Sequence, residues 1–402
     1  MMGIEPSRWA LLDRRRLRER TAEVLNTFQH SEIRPETRVG DLSMAARQIV
    51  EICRAIAARA RIILMDEPTS SLQRDDVDRL FSLIRKFREQ GITIVYISHF
   101  LEEVREIADN FTVLRDGQVV ATGEIRSISD EELISCMVGR PVDNLFPPRS
   151  SQLAQEQETV LDVQNLAAPP NLKDASFELR RGEILGIAGL MGSGRTQTVR
   201  AIFGLDQARA GTIELKGKCL VASRCTAAGQ LMQGLGYLSE DRKGEGLALT
   251  LSVADNVTMT RLGSCSSWGW LRLAQQQQQT ERMTRALGVK ARTVNQPMNT
   301  LSGGNQQKIA LARLLHQDAD ILLLDEPARG IDIGSKAQMY ETIAQCANDG
   351  KAILMVSSYL PELFGMCDRL AVMSRGRLSP ARPIGEWTPE SVMQTAIGGG
   401  DH

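Results

Sequence analysis

No apolar run in the 402 residues approaches the 18 or so that cross a bilayer, so the chain is not read as membrane-spanning. Its first residues, MMGIEPSRWALLDRRR, carry charges where a secretory signal needs an apolar stretch. Neither charge is in excess: 48 Lys and Arg stand against 49 Asp and Glu, a formal net charge of -1 that gives no global attraction to nucleic acid or anionic lipid. The seven cysteines (Cys53, Cys136, Cys219, Cys225, Cys265, Cys346 and Cys367) form no CxxC pair and meet no histidine cluster at metal-ligand spacing. They read as reduced thiols of a cytosolic protein. What is present is 42% hydrophobic and 24% charged residues over a length sufficient for two or three domains, the mixture of a soluble globular protein.

Sliding the chain against itself exposes one dominant offset, 259 residues. At that spacing Trp9 falls on Trp268, Leu42-Ser43 on Leu301-Ser302, Gln48 on Gln307, Arg54 on Arg313 and Asp66-Glu67-Pro68 on Asp325-Glu326-Pro327. Gly91 falls on Gly350, Ser98 on Ser357, Asp109 on Asp368 and Gly117 on Gly376. The chain is about 116 residues short of two whole copies, and the shortfall lies at the front of the first: nothing in it corresponds to the second copy up to Thr258. Pro141 to Glu158 is rich in Pro, Ser and Gln and reads as a linker. The expected division is therefore an incomplete first domain over 1–145, a linker over 146–158 and a complete second domain over 159–402. Gln275 to Gln279 reads as a solvated helix face or loop.

Short apolar runs that end in acids, RIILMDEP and DILLLDEP, alternate with amphipathic stretches, as do GITIVYISH and GKAILMVSS. This predicts an α/β fold with buried parallel strands, whose ligands gather at the carboxyl ends where both acid pairs lie.

In the second half Gly189, Gly192 and Gly194 follow an apolar strand and precede a helix, so backbone N-H groups can wrap a phosphate beside a helix N-terminus. Gly189-x4-Gly194-Arg195-Thr196 fits the phosphate-loop pattern with Ser193 inside the loop and Arg in place of Lys. The planar guanidinium is bulkier than the compact ammonium that sits between β- and γ-phosphates, so Arg195 is expected to hold nucleotide in a less productive geometry. Thr196 offers a hydroxyl and Asp325 a carboxylate to Mg2+, and Glu326 is placed to orient or deprotonate the attacking water. In LSGGNQQK, Ser302, Gly303 and Gly304 open a helix whose free N-H groups face an approaching anion.

The phosphate loop, the Asp-Glu-Pro strand end and LSGGNQQK together resemble the ABC-transporter ATPases, over nearly the whole chain. In detail they are similar to the tandem sugar-importer ATPases of the ribose, galactose and xylose type. The resemblance implies tandem P-loop NTPase domains, each a RecA-like parallel sheet core with a helical subdomain, the first copy incomplete. It implies ATP and Mg2+ as cofactors. It also implies that the signature Ser302 to Gly304 closes on phosphates held by the other half.

The second half looks like that family's degenerate member. Arg195 replaces lysine, Glu240 in YLSEDRKGEGL stands near an expected glutamine, and Ser358 stands where the first half has His99. The usual adenine-stacking aromatic is not apparent in LDVQNLAAPPNLKD. In the first half Asp66 and Glu67 match the magnesium acid and catalytic glutamate, and His99 matches the switch histidine. Its signature keeps Ser43 but has Met44, Ala45 and Ala46 in place of the glycines.

The family implies an integral-membrane permease as partner, an extracytoplasmic sugar-binding protein as an indirect one, no nucleic acid, and a peripheral position on the cytoplasmic face of the inner membrane. The expected function is the ATP-binding subunit of a monosaccharide importer, impaired in hydrolysis because only the degenerate site is whole. A non-catalytic regulatory or remnant subunit that binds nucleotide without turnover is the alternative. A homodimer through the second domain, Arg195 of one copy facing Ser302 of the other, stays open. The shortfall at the front is also expected to leave apolar surface uncovered in residues 1 to 140.

Overall fold

The computed structural model describes residues 5–8, 11–26, 33–42, 44–58, 60–69, 74–98, 100–115, 117–138, 146–147 and 157–398. The chain divides into two units, Met1–Val142 and Asp143–His402. Phe146, at the edge of the segment expected to be a linker, stacks on Tyr340 of the second unit with ring centroids 5.1 Å apart.

The first unit begins with helices α1 (Arg14–Asn26) and α2 (Met44–Ala57), followed by strand β1 (Ile62–Asp66), α3 (Arg74–Glu89) and β2 (Thr93–Ile97). Helix α4 (Leu101–Ile107), the hairpin of β3 (Asn110–Arg115) and β4 (Gln118–Glu124), and α5 (Asp130–Val138) complete it. Strands β1 and β2 run parallel, Ile62 opposite Thr93 and Asp66 opposite Ile97. Their apolar runs bury only one face: Ile63 and Met65 pack with Leu80, Phe81 and Ile84 of α3. Ile62, Leu64, Val95 and Ile97 point outward with exposures of 63, 73, 44 and 50%.

Within the second unit the corresponding face is covered. Its antiparallel part comprises β5 (Thr159–Ala168), β6 (Leu172–Arg180), β8 (Ala210–Leu215) and β9 (Lys218–Val221). Its parallel core comprises β7 (Ile184–Gly189), β10 (Leu235–Leu238), β11 (Ile321–Asp325), β12 (Ala352–Val356) and β13 (Arg369–Ser374), in spatial order β13-β7-β12-β11-β10. The short β14 (Arg377–Leu378) joins β13 to β6. Strands buried on both sides need continuous apolar runs, and β11 and β12 are buried at every residue. Ile321, Leu323, Leu354 and Val356, the counterparts of the four exposed residues, pack with Val199, Ile202 and Phe203 of α6 (Arg195–Phe203) and with Leu235 of β10. Neither α6 nor β10 has a counterpart in residues 1–142, so the same strand pair is sealed in one unit and open in the other.

The helical parts repeat this contrast. In the second unit α8 (Val253–Thr258), which follows the short α7 (Ala227–Met232), packs against α9 (Leu273–Ala286) and α10 (Gly303–Gln317), the counterparts of α1 and α2. The first unit instead has an open cavity of about 1240 Å³ between α1 and α2, lined by Leu25, Ile33 and Cys53 among others. The glutamine run lies in α9 and requires a correction: Gln276 is buried, not solvated, and its side-chain amide donates to Asp255 Oδ1 at 3.0 Å and Thr258 Oγ1 at 2.9 Å. A continuous polar run hides one inward position per turn.

Candidate functional site

Strand β7 delivers the chain to Gly189, and α6 leaves from Gly194. A Cβ at Gly189 would lie 2.5 Å from the Met373 carbonyl oxygen, and Gly192 and Gly194 have φ of 77° and 113°, the left-handed region that only glycine enters freely. Asn171 Nδ2 donates to Gly192 O at 3.0 Å, and Gly376 N-H donates to Ser193 O at 2.8 Å, which pins the loop from the β5–β6 turn and from the end of β13.

Two strand-end acids from β11 meet this loop. Thr196 Oγ1 donates to Asp325 Oδ1 at 3.4 Å. Asp325 is fully buried, and that burial pushes its carboxyl up to about 7. Arg195 Nη2 lies 3.5 Å from Glu326 Oε1, both side chains nearly enclosed. Burial draws the Arg195 pKa down while Glu326 and Asp325 oppose the shift. Glu326 has φ 49° and accepts from the Ser358 N-H at 2.7 Å. Its counterpart Glu67 has φ 43°, and in both units the glutamate N-H donates across the sheet at 2.8 Å, to Val356 O or Ile97 O. The strained backbone is therefore part of the repeat. Burial is not, because Asp66 and Glu67 are exposed.

The signature residues occupy the start of α10. Ser302 precedes its first turn in extended conformation, and its hydroxyl accepts from Asn305 Nδ2 at 2.9 Å. Both glycines have packing reasons. A Cβ on Gly304 would meet Ser335 Oγ at 2.8 Å, and one on Gly303 would stand 3.2 Å from Arg242, whose guanidinium donates to Gly303 O at 2.8 Å. Among the described residues no hydrogen bond or ion pair joins Ser302, Gly303 or Gly304 to the phosphate loop. Glu240 pairs with Arg329. Ser43 and His99 lie outside the described residues.

Two groups escaped the sequence reading. Arg242 sits inside the quoted string YLSEDRKGEGL, and nothing local marks it as the prop under the signature. Glu362, buried behind the Ser357–Tyr359 turn, accepts from Ser357 Oγ at 2.6 Å, while Ser357 Oγ accepts from the Tyr359 N-H at 3.1 Å. The first unit repeats the arrangement: Ser98 Oγ donates to Glu103 Oε2 at 2.9 Å and accepts from the Phe100 N-H at 3.0 Å. The 259-residue offset, which already aligned Ser98 with Ser357, could have found both glutamates.

Ser193 Oγ, Arg195 Nη1 and Asp325 Oδ2 are buried with no protein partner among the described residues. Buried polar atoms are ordinarily paired, so a donor, a cation and a carboxylate left open around a glycine loop fit a bound phosphate with its counter-ion. The ABC transporter family matches residues 7–70 and 172–329, the second stretch containing the loop, the signature and both acids.

The chain belongs to the ABC transporter family. Ribose import ATP-binding proteins of Rubrobacter xylanophilus, Streptomyces coelicolor and Rhizobium meliloti are 42, 41 and 40% identical to it over 99, 98 and 97% of its length and 79, 74 and 77% of theirs. The crystal structure of a nucleotide-free ATP-binding cassette from an ABC transporter matches 60% of this ABC chain and 100% of its own length with a TM-score of 0.50 at 18% identity, a likeness of fold. Two separate family matches on one chain fit tandem ABC ATPase domains of α/β architecture. No helix among the described residues of this ABC chain is long and apolar enough to cross a membrane.

Proposed function

We propose that this chain is the ATP-binding, energy-coupling subunit of an importer for a monosaccharide or related solute, and that its second domain binds Mg-ATP but turns it over slowly. One observation carries the reading. The phosphate loop, Asp325 and Glu326 converge in one buried site in which Arg195 already engages the glutamate that the reaction needs. The ribose import relatives support the transport role.

The N-H groups of Gly189 to Thr196 and the Ser193 hydroxyl hold the phosphates. Thr196 and Asp325 hold Mg2+, which when bound neutralises charge on the β- and γ-phosphates. Glu326 takes a proton from the attacking water only when Arg195 releases it, and Ser358 offers that site a backbone N-H. Glu240 serves beside the phosphates once it leaves Arg329. In the first domain Asp66, Glu67, His99 and Ser43 are the corresponding metal acid, base, switch and signature residues, while Ser302, Gly303 and Gly304 close over phosphates held by another domain. The domains are residues 1–145 and 159–402. The partners are an integral-membrane permease and, through it, an extracytoplasmic sugar-binding protein, with the chain peripheral on the cytoplasmic face of the inner membrane. The Arg195–Glu326 pair equally favours a regulatory subunit that binds nucleotide without turnover.

The test is Mg-ATP turnover of the chain beside Glu326→Gln, with nucleotide binding followed in the same samples. Binding with slow turnover that the variant abolishes supports the reading, and binding without turnover selects the regulatory one. Failure to bind nucleotide removes both.

A further inference from the structure

The repeat extends to a feature that nucleotide chemistry does not use. In the first unit Ser7–Arg8 pairs antiparallel with Leu11–Leu12, Ser7 opposite Leu12 and Arg8 opposite Leu11. In the second, Ser266–Ser267 pairs with Trp270–Leu271, Ser266 opposite Leu271 and Ser267 opposite Trp270. The register is identical after displacement by the repeat. Both hairpins stand outside the main sheet and lead directly into a long helix, α1 or α9.

The tip of the second hairpin is Trp268-Gly269, with φ of 53° and 78°, the pair of positive angles of a type I′ turn. A tryptophan is costly in that conformation. Burial does not offset the cost: Trp268 is 98% exposed, Trp270 80% and Leu273 63%. In the first hairpin Leu11 and Leu12 are 75 and 47% exposed. The charge around each hairpin is predominantly basic. From Asn256 to Thr280 there are two arginines, Arg261 and Arg272, and no Asp or Glu, although Arg261 has an exposed partner in Asp318 at 3.6 Å. From Ser7 to Arg20 there are six arginines against Asp13 and Glu19; Arg14, Arg15, Arg16 and Arg18 are exposed, with Arg15 paired to Glu19 at 3.0 Å and Arg18 paired to Glu36. Locally basic hairpins with exposed apolar side chains thus occur twice in a chain whose net charge is only -1.

We propose that these hairpins are interfacial anchors that seat in the headgroup layer of an anionic lipid bilayer. Tryptophan rings favour that layer because one edge is apolar and the indole N-H finds a wet acceptor. Arginines beside them meet lipid phosphates, and each basic residue near an anionic surface adds to the attraction. The surface is complementary in both respects, apolar tip to acyl boundary and basic flank to phosphate. Nucleotide chemistry plays no part, so this inference and the proposed function stand or fall separately.

The experiment is co-sedimentation of the full chain with protein-free vesicles of phosphatidylcholine, with and without phosphatidylglycerol, at low and moderate salt. The doubles Trp268→Asn/Trp270→Thr and Leu11→Ser/Leu12→Ser alter exposed side chains, and thermal unfolding checks that they fold. Binding to phosphatidylglycerol vesicles is expected, weakened by salt, reduced about tenfold by each double, and accompanied by a blue shift of tryptophan emission that the first double loses. Three outcomes overturn the proposal: no binding to protein-free vesicles, binding that both doubles leave unchanged, or binding confined to native membrane vesicles that carry integral proteins. The last assigns the hairpins to a protein partner.

Discussion

Arg195 of the phosphate loop and Glu326 at the end of β11 form a buried ion pair, Nη2 to Oε1 3.5 Å. The residue that should grip a phosphate and the residue that should activate water neutralise each other. Two enclosed charges satisfy each other because leaving either alone in a low-dielectric site is costly. Under the proposed function, a bound phosphate would compete with Glu326 for this guanidinium.

Arg195→Lys tests that competition. The shorter, compact ammonium reaches phosphate as a point charge, so nucleotide affinity is expected to rise about tenfold and Mg-ATP turnover to increase with it. Titration with a fluorescent nucleotide and a steady-state phosphate assay measure both; equal or weaker binding counts against the competition.

Gly189→Ala places a methyl group 2.5 Å from the Met373 carbonyl oxygen, at φ 150°. Either β13 shifts or the phosphate loop moves, and overpacking of this kind costs about 1–3 kcal/mol. The expected result is a lower unfolding midpoint of the second unit together with lost nucleotide binding. An unchanged midpoint in denaturant titration refutes the steric account.

Burial raises the Glu362 carboxyl from the usual carboxylate range to about 7. Its folded form holds the proton more tightly than the unfolded chain does, so this group stabilises the fold fully below about pH 4.5 and loses that contribution as pH rises towards 7, by up to about 1.4 kcal/mol per pH unit. Glu362→Gln removes the titration while keeping an acceptor for Ser357. Denaturation across pH 4.5 to 7 is expected to show a decline in the natural chain that the variant makes shallower, the remainder belonging to Asp325; parallel curves sink the assignment.

Leu64 and Leu323 are the same residue at the same place in the repeat, 73% exposed in one unit and fully buried in the other. Leu323→Ala is expected to cost about 2–5 kcal/mol of second-unit stability, whereas Leu64→Ala should change first-unit stability little. Unfolding followed by limited proteolysis separates the two units. Comparable losses at both positions contradict the exposed face.

The order of strands and helices was legible because it rests on local pattern. Apolar runs ending in Asp66-Glu67 and Asp325-Glu326 made strand ends, and the glycines at 189, 192 and 194 marked a tight strand-to-helix loop. The 259-residue register carried the pairing of Ser98 with Ser357 without any coordinate. The expectation of uncovered apolar surface in the first unit is met at Ile62, Leu64, Val95 and Ile97. Two things were decided only in three dimensions. The contact between Arg195 and Glu326 joins residues over a hundred positions apart, which no periodicity encodes. The inward turn of Gln276, like the outward turn of Trp268, follows from what packs beside each side chain. Sequence fixes backbone tendencies through neighbours along the chain; burial, and with it the charge state of Asp325 and Glu362, depends on neighbours in space.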